Sequence, residues 1–578
     1  MDKKNNTFSD LIVAYLEQIG VEYVFGIPGG HILSLYESLY RSEKRGGPRA
    51  VMTRHETGAA FMAAGYARET GKIGVCCATC GPGATNIITG LAEASANHAP
   101  LLVITGQIPL PGSGRGGLQE CTPHQGYFPD IADTVGMLEH CTCYNTVINH
   151  PAQLEGKLTA AIISAMQPVR GPAHISIPVD ILRAPGPDTP AYPNLSRLLN
   201  TDPAFADSAA MEGLWQAVAD VLKRNRGIAV FVGHECEGAG QEIMRFAEMI
   251  NAPVVTSLRG KSRVDAWHPL NFGVFGMSGH QSARQALADE SIELILAAGT
   301  SLGLLATGAW SPVLLNEKLV HIHPSNVYFP RSSMARMHVP GTVKTVFREL
   351  ADRLQGAGLQ VAGDRLQTQG SEREDVFPPQ IELHKPEACY SEEIPVKPQR
   401  LIYELRRNFP RETRFVADSG ASLDWVLHYL FLPNPENCRL TAVIQFPMGA
   451  GVGGAVGTAI GAPNTPVVCV VGDGTYLMYG QEIGVAVAEK LPVIFVILND
   501  GAYGSVKHRN RQIGTEDIDF ALPPTDFSLM AKAVGADGYT VRHPDDFRHL
   551  DYQAMCNRPG PTLIDVYVDP EEMPPIGS

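Results

Sequence analysis

Two aspartates stand where apolar runs break at glycine-rich turns: Asp473 in "VVCVVGDGTYLMYG" and Asp500 in "VIFVILNDGAYGSV". If each run is a buried strand and the stretch between them a crossover helix, both carboxylates, 27 residues apart, arrive at one edge of a parallel sheet. Gly472 and Gly474 allow a ligand close to the backbone, and the following helix offers unpaired N–H groups to an anion. Carboxylates repel a phosphate unless a divalent cation lies between them. Mg2+ is held in this way, by one or two carboxylates with phosphate oxygens and water. The expected chemistry is therefore Mg2+-bridged diphosphate binding. A Asp-Gly pair alone is a common tight turn, so the spaced carboxylates carry the reading. A third carboxylate, Glu56, heads the apolar run "TRHETGAAFMAAGYARETG", residues 53 to 71. An acid in a first helical turn suits the helix dipole. A helix this apolar must also pack inside the protein, which leaves the carboxylate poorly solvated.

The elements that would position these residues alternate between strand and helix along the whole chain. At 578 residues the chain exceeds what one core supports. We divide it into residues 1–185, a Pro-rich linker 186–204, 205–362, a second polar linker 363–398, and 399–578. The expected fold class is α/β, with three doubly wound parallel-sheet domains. The strands expected in the first are "EYVFGI", "RAVMT", "KIGVCCAT" and "PLLVITG"; in the second, "IAVFVG", "APVVTS", "IELILAAG" and "KLVHIH". In the third they are "RFVAD", "PVVCVVGDG", "PVIFVILND" and "TLIDVYV". Ligands of such sheets sit beyond the carboxyl ends of the strands. A net charge of -14 opposes nucleic acid and anionic membrane surfaces, leaving a small molecule as the expected partner. The start reads as a polar leader into an amphipathic helix through Gln18, no apolar run nears a membrane span, and the eleven cysteines fit a reducing cytoplasm. Cys76, Cys77 and Cys80 read as packing thiols, since no second cluster completes a zinc site.

The paired turns resemble the GDG…N(N/D) signature of thiamine diphosphate enzymes, and "RHETGAAFMAAGYAR" resembles their glutamate motif. "TCGPGATNIITGLAEASANHAPLLVITGQ" is similar to the acetolactate/acetohydroxyacid synthase large-subunit and benzaldehyde-lyase-like group. The resemblance implies a pyrimidine-binding first domain, a Rossmann-like central domain and a diphosphate-binding third domain. It places Mg2+ on Asp473, Asp500 and the Ala502 carbonyl, and the diphosphate by Gly420, Ala421 and Ser422 of "DSGASLDW" and by Gly472, Gly474 and Thr475. Tyr503 and Gly504 complete that turn. Met448 would bend the cofactor and the Phe446 carbonyl receive its amino group, with Gly30, Pro82 and Asn86 beside the pyrimidine. Glu56 would bind the pyrimidine N1′ and drive proton removal from the thiazolium. Gln119 of "GLQEC" would face the reacting atoms, and His31 of "FGIPGGHI" stands where lyases of the group have a pocket histidine. Either residue also suits a plain loop.

The sequence departs from amino-acid-producing synthases at Ser505 and Arg509, where Met and Trp are usual, and Val506 lies between them in the pocket. "GTSLGLLATG" lacks the Arg and acidic residues usual for flavin, so no FAD is expected. The implied activity is a thiamine diphosphate- and Mg2+-dependent carboligase. It decarboxylates a 2-keto acid such as pyruvate and transfers the acyl-anion equivalent to a carbonyl acceptor. A non-oxidative decarboxylase or C–C lyase is the alternative within the class; a flavin-linked oxidase or a non-catalytic homologue lies outside it. The family also implies a homodimer or homotetramer with active sites between subunits.

Overall fold

The computed structural model describes residues 6–124, 126, 129–186, 199, 204–359, 377–440, 444–514 and 518–575. Three six-stranded sheets organise them, every strand pair parallel. The first contains β1 (Tyr23–Gly26), β2 (Arg49–Met52), β3 (Gly74–Ala78), β4 (Leu101–Gln107), β5 (Tyr144–Val147) and β6 (Pro172–Pro178), in the order β2-β1-β3-β4-β6-β5. The second contains β7 (Gly227–Val232), β8 (Val254–Thr256), β9 (Asn271–Val274), β10 (Ile292–Ala298), β11 (Leu319–His323) and β12 (Met337–Pro340), in the order β12-β11-β10-β7-β8-β9. The third contains β13 (Arg414–Ala417), β14 (Cys438–Leu440), β15 (Val467–Gly472), β16 (Val493–Asn499), β17 (Asp537–Val541) and β18 (Thr562–Tyr567). Its order, β14-β13-β15-β16-β18-β17, repeats that of the first sheet.

Each sheet has two strands more than the sequence patterns indicate. Five of the six, β5, β9, β12, β14 and β17, are edge strands, short or interrupted by polar residues. Edge strands bury less and so lack a continuous apolar signature. The sixth, β6, is wholly buried but carries His174 at its centre. That ring is satisfied by Thr105 at 2.8 Å and Asn145 at 2.7 Å, and burial pushes it down to about 3, so it packs as a neutral residue.

The helices that matter for the site are α1 (Phe8–Gln18), α2 (Glu56–Thr70), α3 (Val343–Ala357), α4 (Ala421–Tyr429), α5 (Ala450–Gly461), α6 (Asp473–Tyr479) and α7 (Gly504–Ile513). Helices α2 and α5 pack together across the first and third domains, and one apolar core spans both. Glycines permit the approach. A Cβ on Gly65 would overlap the Gly454 carbonyl, and one on Gly457 would overlap that of Met62. The apolar character of α2 therefore reflects burial against a second domain.

The first expected linker lies almost entirely outside the described residues. In the second, residues from 377 onward are docked on the third domain: Phe377, Cys389 and Val396 join its core, and Val396 bridges to Val568 beside β18. Cys76 and Cys77 lie inside β3, while Cys80 packs with Cys121 and Ile108. Among the described residues no helix is long and apolar enough to cross a membrane.

Candidate active site

The third sheet changes winding direction between β13 and β15, the place where a doubly wound sheet leaves a crevice. A pocket of about 230 Å3 opens there. Its lining includes Gly420, Ala421 and Ser422 after β13, and Gly472, Asp473, Gly474 and Thr475 after β15. Asp500, Ala502, Tyr503, Gly504, Ser505 and Val506 after β16 also line it, with Phe446 and Met448.

Asp473 begins α6 and is 3% exposed. One carboxylate oxygen accepts the Gly474 N–H at 2.7 Å; the other accepts that of Gly501 at 2.8 Å, joining the two turns. Burial and neighbouring Asp500 push Asp473 up to about 7, while burial takes Asp500 to about 6. A divalent ion between the two carboxyls would favour the charged form of both. A Cβ on Gly504 would overlap the Asp500 carboxylate, so the glycine makes room for it. Gly420, at φ 94°, turns the chain from β13 into α4 in a conformation open only to glycine. Phe446 also adopts a positive φ of 58° at the pocket wall.

Glu56 begins α2, and its carboxylate accepts from Asn86 Nδ2 at 3.0 Å. Its surroundings come from the carboxyl ends of the first sheet. Gly83, after β3, touches both Glu56 and Thr79, while Gly29, after β1, closes on Thr79. Gln119 holds a φ of 62° against Gly81, next to Pro82. Gly30 faces open space, and the His31 backbone packs on Gly106 at the end of β4. His31 Nδ1 is buried without a hydrogen-bond partner among the described residues, and burial with Arg183 nearby holds the ring below its ordinary range. All described lining of the diphosphate-type pocket comes from residues 398–574. Glu56, His31 and Gln119 are not among that lining. Arg509 is exposed on α7.

The thiamine pyrophosphate enzyme models match three times: the N-terminal TPP binding domain over residues 6–126, the central domain over 215–350, and the C-terminal TPP binding domain over 418–566. The chain is 30% identical to a protein described as an acetolactate synthase large subunit in Mycobacterium tuberculosis, with 99% of each covered. The chain belongs to the thiamine pyrophosphate enzymes, in the acetolactate synthase group. It is 29% identical to the acetolactate synthase isozyme 2 large subunit of Escherichia coli K12, over 96% of this chain and 95% of the relative. To the acetolactate synthase of Arthrospira platensis it is 28% identical, over 98% and 95%. Like the members of that group, it is a thiamine diphosphate-dependent enzyme.

In this acetolactate synthase-type enzyme the structure adds three residues that sequence reasoning passed over. Asp418, fully buried, accepts the Gly449 and Val452 N–H groups, both at 3.0 Å, and so ties the start of α5 to the turn containing Ser419–Ser422. Its place just before the "SGAS" turn was the available signal. Glu482 is fully buried and accepts the Arg54 N–H at 3.2 Å, while Oε1 has no partner among the described residues and sits where a side chain on Gly58 would be. Burial pushes it up to about 7. This carboxyl of the third domain thereby fixes the head of α2, two residues from Glu56. His508, on α7, is buried in the pocket wall, and its Nδ1 has no partner among the described residues.

The central sheet has its own switch point, between β7 and β10, and a cavity of about 660 Å3 opens there. Leu302, Leu304, Leu305, Met277 and Trp310 dominate its walls. Arg259 is held by the carbonyls of Ala96 and Asn97, and Arg331 by that of Ser301. Glu235 adds a carboxylate, paired with His98. Phe446 lines both this cavity and the smaller pocket, forming a shared wall.

Proposed function

We propose that this enzyme is a Mg2+-dependent carboligase that decarboxylates a 2-keto acid, pyruvate being the simplest, and transfers the acyl-anion equivalent to a carbonyl acceptor. The observation that carries the reading is the pairing of buried Asp473 with half-buried Asp500 at the switch point of the third sheet. Its donor set suits a hard cation bridging to diphosphate: two carboxyls, the Ala502 carbonyl, and turns with room for phosphate at Gly420 and Gly472. Gly420, Ala421, Ser422, Gly474 and Thr475 would bind the diphosphate. Met448 would support the bent cofactor, with the Phe446 carbonyl accepting from its amino group. Thiamine diphosphate, when bound, supplies the nucleophilic carbon that adds to the keto acid and takes up the electrons left by CO2.

The chain's own residues handle protons and water. Glu56, oriented by Asn86, would hold a proton at the pyrimidine N1′. His31, whose Nδ1 has no hydrogen-bond partner among the described residues, would move a proton at a substrate carbonyl, and Gln119 would orient that carbonyl. Because Glu56 is not among the described lining of the pocket that holds the metal carboxylates in one chain, we assign the complete site to two subunits of a homodimer or homotetramer. Ser505, Val506 and Arg509 would then border the acceptor, where Arg509 favours an anionic one.

We also propose that the central domain works without flavin. The turn after β10 offers Ser301, Leu302 and Gly303 rather than charged groups, and Glu235 adds a carboxylate to the cavity lining. The experiment is product analysis by mass spectrometry, using the purified enzyme, thiamine diphosphate, Mg2+, a panel of 2-keto acids, and aldehyde and keto-acid acceptors. Ligated hydroxyketones or 2-hydroxy-2-alkyl keto acids are expected, with no flavin band in the absorbance spectrum. Release of the simple aldehyde as sole product would convert the assignment to decarboxylase.

A further inference from the structure

A second cleft, of about 470 Å3, opens where the three domains meet. Arg68 of α2, Arg263 and Lys344 of the central domain, and Arg439 of β14 all line it. Lys344 pairs with Glu242 at 3.8 Å, which leaves Arg68 and Arg263 as the less compensated cations. The Arg263 side chain is 4% exposed, yet its Nε and Nη1 have no hydrogen-bond partner among the described residues. Its contact with Glu237 is 3.4 Å long, to a carboxylate that is 58% exposed. Arg68 gives one N–H to the Leu440 carbonyl at 2.7 Å; burial, with Arg259, Arg439 and Arg263 nearby, pushes its guanidinium down to about 9. Arg439 shares Glu69 with Arg414. Glu235, which also reaches the cleft, is engaged by His98.

The start of α3 also lines the cleft, through Thr342, Val343, Lys344 and Thr345. This 15-residue helix has no side-chain cap, since the Thr342 hydroxyl donates to Thr345 Oγ1 at 2.9 Å. Its first-turn N–H groups and the positive end of its dipole therefore face the same space as the arginines. Gathering guanidiniums in a poorly solvated cleft is unfavourable, and a buried unpaired N–H adds to the cost. One anion with several acceptor oxygens offsets both. A phosphoryl group has the charge and the tetrahedral oxygens to accept from a helix start and two guanidiniums together. The remaining space, several times a phosphate, leaves room for a carbon skeleton.

We propose that this cleft binds the phosphoryl group of a small organic phosphate, with Arg68, Arg263 and the first turn of α3 as donors. Because the donors come from different domains, occupancy clamps the domains together, and stability rises by mass action. The test uses the full chain with Mg2+ and saturating thiamine diphosphate, so that the pocket at Asp473 is filled. Inorganic phosphate, glycerol 3-phosphate and ADP are titrated at constant ionic strength, read by calorimetry and by the unfolding midpoint, with potassium chloride as control.

Saturable binding near one equivalent per chain is expected, with an organic phosphate tighter than inorganic phosphate. Arg263→Gln should weaken it about tenfold or more, as loss of a charged hydrogen-bond donor does. Lys344→Glu, at the exposed rim, should weaken it in the same direction while leaving the buried packing alone. No saturable binding by any of the three, equal binding after both substitutions, or a preference for inorganic phosphate would overturn the proposal.

Discussion

The first and third domains are built on the same six-strand order, and both place glycine-rich turns at their carboxyl edges, but the turns carry different chemistry. In the third, Asp473 and Asp500 are drawn into one pocket, and backbone N–H groups of Gly474, Gly501 and Ala502 hold their carboxylates. In the first, a single carboxylate, Glu56, stands at a helix start with the amide of Asn86 as partner. On the function proposed above, one edge would hold a cation and diphosphate and the other would exchange a proton with a ring nitrogen. Sheet topology thus sets where a ligand binds, while the residues one or two places beyond each strand set what it does there. The glycine contacts between α2 and α5 hold the two domains in fixed register, so neither half can adjust independently.

Removing the proton-handling half should have the largest effect. Glu56→Gln is expected to keep Mg2+ and cofactor binding but lower kcat by about 100-fold to 10,000-fold, the usual worth of a general acid–base. Stopped-flow turnover alongside a cofactor titration separates the two quantities. Damage to the other half should read out as binding: Asp473→Asn is expected to weaken Mg2+-dependent cofactor affinity by about a hundredfold, at least what loss of a metal's supporting shell costs. Unchanged affinity would remove Asp473 from the metal site.

Substitutions at the joint between the halves should be smaller and act on stability. Gly457→Val drives a side chain into the Met62 carbonyl and should destabilise by about 3 kcal/mol, the upper end of overpacking costs, seen as a lower unfolding midpoint. Glu482 gives a pH test. Its folded-state carboxyl titrates near 7, above the ordinary glutamate value of 4.5, so the folded protein keeps a proton that the unfolded chain releases. Stability should therefore fall as pH rises from 4.5 to 7 and stay lower above that range. Glu482→Gln should flatten this slope, to which Asp473 and Asp500 also contribute, and raise stability at pH 8 relative to pH 5. Denaturant titrations at pH 5 and pH 8 check both signs.

Much of this organisation could be read from the chain because buried parallel strands are continuous apolar runs, and β15 and β16 each end in a turn that declares its chemistry. The alternation of strand and helix gave three α/β units, and the match of two turns and a glutamate motif gave the cofactor class. Edge strands such as β14, three residues long, carry no such pattern. Asp418 and Glu482 were hidden for another reason. Their partners, Gly449 and Arg54, are distant in sequence, and a bond to a remote backbone N–H cannot be read locally; the only local signal was the place of Asp418 just before its turn. The meeting of Arg68, Arg263 and Arg439 from three domains was invisible for the same reason.

The account turns on the two unlike edges completing one site across subunits. The direct measurement is to co-express Glu56→Gln and Asp473→Asn chains in equal amounts and assay the purified mixture, each variant being nearly inactive alone. In a mixed dimer, one of the two sites pairs an intact Glu56 with an intact Asp473. Random pairing should therefore restore about a quarter of the wild-type rate. Activity no higher than that of the separate variants, despite mixed dimers in native mass spectra, would place the whole site within a single chain and contradict the account.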